Sequence, residues 1–139
     1  MVDIRILGPG DEDLLVAVDE LAGEGSLSRE RATGFLAEPD LVNVVAVDAG
    51  APVGFIYGFV LRRYEAVSFF IYSVDTAPSH QRRGLAKSML ARLSQLGRSG
   101  RWDEMFVFTN ASNPPAMGLY ASAGGVRPPP DDVVMFDFN

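Results

Sequence analysis

The sequence predicts an α/β (α+β) fold, one domain over residues 1–139. Three observations predict it. Six short segments alternate apolar and polar residues or run through branched and aromatic ones, as strands do. Four segments carry apolar residues three or four apart, as helices do. Gly, Pro, Asn or Asp punctuates the series, and no internal repeat, low-complexity tract or linker breaks it.

The elements follow in order. Asp3 to Leu7 alternates and is a strand, closed by Gly8-Pro9-Gly10. Asp11 is placed to cap a helix whose Leu14, Leu15, Val18, Leu21 and Ala22 share a face, and Gly23 and Gly25 stop it. Ser28 caps a second helix, with Arg31 rather than Glu or Gln at the third position, and the helix ends near Ala37, before Glu38-Pro39. Val42 to Asp48 and Val53 to Leu61 are strands joined tightly through Ala49-Gly50-Ala51-Pro52, an antiparallel hairpin. Gly54 and Gly58 mark a bulge or a close approach. Ser68 to Thr76 is a further strand. A helix starts near Gly84, with Leu85, Ala86, Met89, Leu90, Leu93 and Leu96 on one broad face, and Gly97 and Gly100 end it. Met105 to Thr109 is a strand. Pro115 to Ala123 is a short helix with Pro at its start and Gly124-Gly125 past its end. Val133 to Phe138 is the last strand. Trp102 and the rings of Phe69, Phe70, Phe106 and Phe108 read as core.

The bulk properties narrow the function. The 139 residues are 47% hydrophobic and 22% charged, as in a soluble globular domain. No apolar run approaches the roughly 20 residues that span a bilayer, and Met1 to Arg5 does not open a signal peptide. There is no cysteine, which excludes disulfides, thiolate metal sites and cysteine nucleophiles and makes the cytoplasm the expected compartment. His80 is the single histidine, so a Ser-His-Asp triad or a zinc site would have to use it; a structural role for it is the simpler expectation. No metal is expected. A net charge of −6 argues against broad nucleic-acid binding and is compatible with a cationic substrate.

The informative stretch is Val74-Asp75-Thr76-Ala77-Pro78-Ser79-His80-Gln81-Arg82-Arg83-Gly84-Leu85-Ala86-Lys87-Ser88. A buried strand runs into a basic, glycine-containing turn and then an amphipathic helix. The first helical turn has unpaired N–H groups and the positive end of the helix dipole, and small residues let a phosphate approach it. Gly84 and Ala86 give access, Arg82 and Arg83 add charge, and Ser88 offers a hydroxyl. The stretch lacks both the Gly-Lys-Ser/Thr ending of the Walker loop and the three glycines of the dinucleotide fingerprint.

Gln81-Arg82-Arg83-Gly84-Leu85-Ala86 resembles the pyrophosphate loop of GNAT acetyltransferases, Gln/Arg-x-x-Gly-x-Gly/Ala. A second block, Asn113-Pro114-Pro115-Ala116-Met117-Gly118-Leu119-Tyr120-Ala121-Ser122-Ala123-Gly124, is similar to the family's Asn-x-x-Ala-x-x-Leu-Tyr-x-x-x-Gly helix. The specific motifs cover about Phe70 to Gly125 and the general likeness nearly the whole chain. Within the superfamily, Phe70-Ile71-Tyr72, His80 and Val134-Met135-Phe136-Asp137-Phe138 resemble the small aminoglycoside 3-N-acetyltransferases. Those enzymes carry an acid where this chain has Ser73, and a small apolar residue where it has Asp75.

The resemblance implies a GNAT fold: a central mixed, mostly antiparallel sheet of about six to seven strands flanked by about four helices. It implies acetyl-CoA as cosubstrate and direct acetyl transfer to a primary amine, on an aminoglycoside-like or other small cationic molecule or on a peptide. The pantetheine arm would lie along Val74, Asp75 and Thr76. The pyrophosphate would sit on Gln81, Arg82, Arg83, Gly84, Leu85, Ala86 and Lys87, with Ser88 beside it. Asn113 would contact the cofactor arm and Tyr120 the thioester sulfur. Asp75 and Glu65 are the candidate bases. Alternation along the strand sets Ser73 and Asp75 on one face and Tyr72, Val74 and Thr76 on the other. With Ser73 in place of the acid, a catalytically weak acyl-CoA-binding module, a sensor or partner subunit, stays open as the alternative. Pairing of the final strand with a second copy would make a homodimer.

Overall fold

The computed structural model describes residues 1–127 and 134–138. The chain falls into two compact units, residues 1–108 and 109–139.

The first unit is a five-stranded sheet in the order β1-β2-β3-β4-β5: β1 Val2–Ile6, β2 Leu41–Asp48, β3 Ala51–Arg62, β4 Val67–Thr76 and β5 Glu104–Val107. The first four strands are antiparallel neighbours, and β5 joins β4 in parallel. Helices α1, Glu12–Leu21, and α2, Arg29–Ala37, cover one face. Their Leu15, Val18, Ala32 and Leu36 pack with Leu7, Val45, Val47 and Phe55. Helix α3, Leu85–Gly100, covers the other face with buried Met89, Leu90 and Leu93. Each such buried side chain contributes roughly 1.5–3 kcal/mol through the hydrophobic effect.

Ser28 caps α2 as its position predicts, its Oγ accepting from the Arg31 amide at 3.1 Å. Asp11 departs from expectation. It stands at the start of α1 but caps no amide there. Its carboxylate turns back to accept from the Gly8 amide at 2.9 Å and the Arg5 guanidinium at 3.1 Å, closing the β1–α1 loop instead.

Gly97 does not end α3, which runs on to Gly100. A Cβ at position 97 would stand 2.7 Å from Trp102 Cε3, so the glycine lets the indole lie against the helix. Gly58 sits at a register shift, where Tyr57 pairs with Ser73 but Gly58 with Ile71. A Cβ there would strike the Phe70 carbonyl oxygen and the Phe69 ring. Tyr72 is the extra residue of this β4 bulge.

The bulge overturns the simple alternation along β4. Tyr72 packs on Tyr57, Phe59 and Phe70 at centroid distances of 5.4, 5.8 and 6.1 Å. It therefore shares the α1/α2 face with Ser73 and Asp75, which pair with Tyr57 and Phe55. Phe69 is fully buried, whereas Phe108 is 65% exposed and is not core. Strand β5 stops at Val107, short of the predicted Thr109.

The second unit holds α4, Pro114–Ser122, with Asn113 as its capping residue. The predicted last strand is not found in residues 134–138, which carry no regular structure; Val133 lies outside the described residues. The described sheet thus has five strands rather than six to seven.

Candidate functional site

The site begins where β4 outruns β5. Strand β5 pairs with β4 only from Ser68 to Ile71. From Tyr72 to Thr76 no strand of the described sheet lies on that side, so an edge of backbone is open. The Thr76 amide donates to Asp75 Oδ1 at 2.8 Å, and the Thr76 carbonyl accepts from Gln81 Nε2 at 3.2 Å. Local side chains thus cover groups that the sheet leaves unpaired.

After β4 come a short 3-10 helix, Pro78–His80, and a turn. Backbone φ changes sign residue by residue here: Arg82 is at 63°, Arg83 is negative, and Gly84 is at 76° before the helical Leu85. Alternation of this kind turns successive N–H groups toward one point and forms an anion-binding concavity. Gly84 suits the left-handed position; Arg82 holds it at a cost of roughly 1–2 kcal/mol. Among the described residues, the amides of Gln81 to Lys87 find no acceptor. The first amide bonded back into the helix is Ser88, to the Gly84 carbonyl at 3.0 Å. Gln81, Arg82, Arg83, Gly84, Lys87 and Ser88 are exposed, and a Cβ at Gly84 would meet nothing within 4 Å. Free amides, a helix N-terminus, two guanidinium groups and open space fit a diphosphate.

The face beside this edge is aromatic and negative. Tyr57 packs against Tyr72 with its ring tilted by 40° and meets Phe35 edge-on at 6.1 Å. Burial pushes the Tyr57 phenol pKa up, and the neighbouring Tyr72, Asp19 and Glu24 push it further. Asp75 is exposed on the same face of β4. Glu65, the other candidate base, is not brought to this place. It sits in the β3–β4 turn, at the opposite end of β4 from Asp75.

In the second unit, Asn113 Oδ1 accepts from the Ala116 amide at 3.3 Å and caps α4. That bond gives Asn113 a structural use besides any contact with a ligand. Tyr120 lies half-buried on α4, and desolvation raises its pKa above the ordinary tyrosine value. Its phenol is protonated at neutral pH, as an ordinary tyrosine is, and is a donor.

Sequence reading noticed His80 but not its partner. His80 Nε2 lies 2.7 Å from Asp48 Oδ2, across a separation of 32 residues. No local pattern could have linked the two. Among the described residues there is no group of acids and histidine that could hold a metal, and no helix is long and apolar enough to cross a membrane.

The chain matches the model of the acetyltransferase (GNAT) family over residues 14–124, and it belongs to that family. Membership makes it an acetyl-CoA-dependent N-acetyltransferase. Among solved structures, an aminoglycoside acetyltransferase from an uncultured soil metagenomic sample is 25% identical over 100% of this chain and 98% of its own, with a TM-score of 0.84. The aminoglycoside N-acetyltransferase AAC(6')-Iy, bound to a bisubstrate analogue built on CoA, shares the fold at 19% identity and a TM-score of 0.81, covering 100% of this chain and 98% of its own. A ribosomal-protein-alanine N-acetyltransferase from Brucella melitensis does so at 17% identity and a TM-score of 0.74, covering 98% and 100%. A search of curated proteins gives no match.

Proposed function

We propose that residues 1–139 work as one acetyltransferase domain that acetylates a small cationic amine of the aminoglycoside type. The observation that carries the reading is the turn from Gln81 to Lys87, whose amides are unbonded among the described residues and whose φ alternates. In this reading those amides, with Arg82, Arg83 and Ser88, hold the diphosphate of acetyl-CoA. The pantetheine arm runs along the open edge at Val74 to Thr76, displacing Asp75 and Gln81 from the Thr76 backbone. Asn113 contacts the arm.

The chemistry then needs three groups. The acceptor nitrogen attacks the acetyl carbon, a C–N bond forms, and the C–S bond breaks. An amide of β4 near Val74 polarises the carbonyl oxygen. Asp75, directly or through water, takes one proton from the ammonium before attack; Tyr120 gives its proton to the departing thiolate and regains one from the nitrogen as the amide forms. Asp19 and Glu24, whose charges raise the Tyr57 pKa, put negative potential over the face that the acceptor would meet. That supports a cationic substrate, as does a soil-metagenome aminoglycoside acetyltransferase of similar fold that is bound to sisomicin.

We also infer a cytoplasmic enzyme, and a homodimer in which a second copy covers the apolar Val134, Met135, Phe136 and Phe138, each more than 70% exposed. Acetyl-CoA with a panel of aminoglycosides, polyamines and peptide amines, read by free thiol, tests the substrate. Thiol release fastest with an aminoglycoside bears the proposal out. Preference for a peptide N-terminus refutes it, and firm CoA binding with no thiol release for any amine points to the binding module.

A further inference from the structure

Asp48 and His80 meet beside the diphosphate turn, and neither belongs to it. Asp48 ends β2 and pairs with Val2 of β1 and Ala51 of β3, so two ladders fix it. The next residues, Ala49 and Gly50, reverse the chain at φ 52° and 81°. His80 is the residue immediately before Gln81. Its Nε2 is 2.7 Å from Asp48 Oδ2 and its Nδ1 is 2.7 Å from Ser79 Oγ. Its side chain is only 14% exposed, although it stands on a surface loop.

We propose that the Asp48–His80 pair is a latch that fixes the start of the diphosphate turn against the sheet, with His80 as a positioning residue for acetyl-CoA. The inference rests on the reading of that turn as the diphosphate site. The turn holds itself poorly. Its amides are unbonded among the described residues, Arg82 occupies a left-handed conformation, and the Gln81 side chain ties back only to Thr76. An anion site of converging N–H groups binds tightly only if its dipoles are already aligned, because aligning them on binding costs affinity. The latch supplies that alignment from a rigid anchor. It closes through two hydrogen bonds of the ring, Nε2 to the Asp48 carboxylate and Nδ1 with the Ser79 hydroxyl. Asp48 stays ionised, since the His80 bond holds its carboxyl below the usual range.

The test is titration calorimetry with two probes, CoA and S-acetylpantetheine, which lacks the diphosphate and nucleotide. His80→Ala should raise the CoA Kd about tenfold, equivalent to about 1.4 kcal/mol, and leave the S-acetylpantetheine Kd unchanged. Asp48→Ala should do the same, and it leaves the loop sequence intact should His80→Ala fail to fold. The double variant should be no weaker than either single one. Asp48→Asn keeps an acceptor oxygen and should restore most of the affinity. An unchanged CoA Kd, or equal weakening of both probes, overturns the latch. A wild-type protein that does not bind CoA overturns the diphosphate reading itself.

Discussion

The Phe69 ring lies flat on the Trp102 indole, centroids 4.3 Å apart and planes 6° apart. Trp102 in turn lies against α3 where Gly97 has no side chain. The contact joins α3 to β4, the elements on either side of the turn proposed for the diphosphate. Gly97→Ala should therefore destabilise the protein by about 1–3 kcal/mol, since overpacking outweighs the better helix propensity of alanine. Urea unfolding followed by tryptophan fluorescence measures this. A variant as stable as the wild type would show that the indole is free to move aside.

Arg83 and Gly84 are exposed, so changing them to acids should spare the fold and strike the site. Arg83→Glu with Gly84→Glu should cut CoA affinity at least about a hundredfold, because two carboxylates replace a cation and open backbone beside a diphosphate. The strain of a non-glycine residue at φ 76° should lower stability by only about 1–2 kcal/mol. Titration calorimetry with CoA reads the first effect and thermal melting the second.

Tyr120 carries its proton at neutral pH, as any tyrosine does, and burial raises its pKa further. If it supplies the proton to the thiolate, Tyr120→Phe should lower kcat by about tenfold to a hundredfold and leave the KM for acetyl-CoA within about twofold. Equal turnover would return this phenol to a packing role.

Asp75 should show the reverse dependence on substrate. Asp75→Asn should leave CoA affinity near that of the wild type but lower kcat/KM for the amine by at least about tenfold, since a neutral amide accepts no proton. An unaffected amine kcat/KM would pass the role of base to water or to another group.

Stability should depend on pH through Asp48. Its folded pKa is depressed, first by the His80 hydrogen bond and then by the charges of the N-terminus, His80 and Arg83, against the opposing effect of burial. Below the ordinary carboxylate pKa the unfolded chain binds the proton before the folded one, so stability falls as pH falls through the folded value. The stability difference between wild type and Asp48→Ala should be full at pH 6 and shrink below pH about 4. A difference that is constant from pH 6 to pH 3 would contradict this.

Much of the fold could be read because its signals are local. The Ser28 cap, the glycines at 23 and 25, the tight Ala49-Gly50 reversal and the amphipathic face of α3 each lie within a few residues. The glycine turn that opens α3 was legible for the same reason. Features set by distant partners were not. The β4 bulge arises where Gly58 lets the Phe70 backbone approach, and it moved Tyr72 to the face shared with Asp75. Gly97 looked like a helix end because the Trp102 indole that needs it lies past the end of the helix. The partner of His80 is 32 residues upstream. Asp11 had the right type for a cap, but Arg5 and the Gly8 amide compete for its carboxylate.

In the proposed reading the backbone from Gln81 to Lys87 receives the CoA diphosphate. Amide proton–nitrogen spectra recorded during a CoA titration test it most directly. The amides of Arg83 to Lys87 should shift furthest and saturate together, and 3'-phospho-ADP, which keeps the diphosphate group, should move the same set. Saturation by CoA with those amides unmoved, and the largest shifts elsewhere, would contradict it.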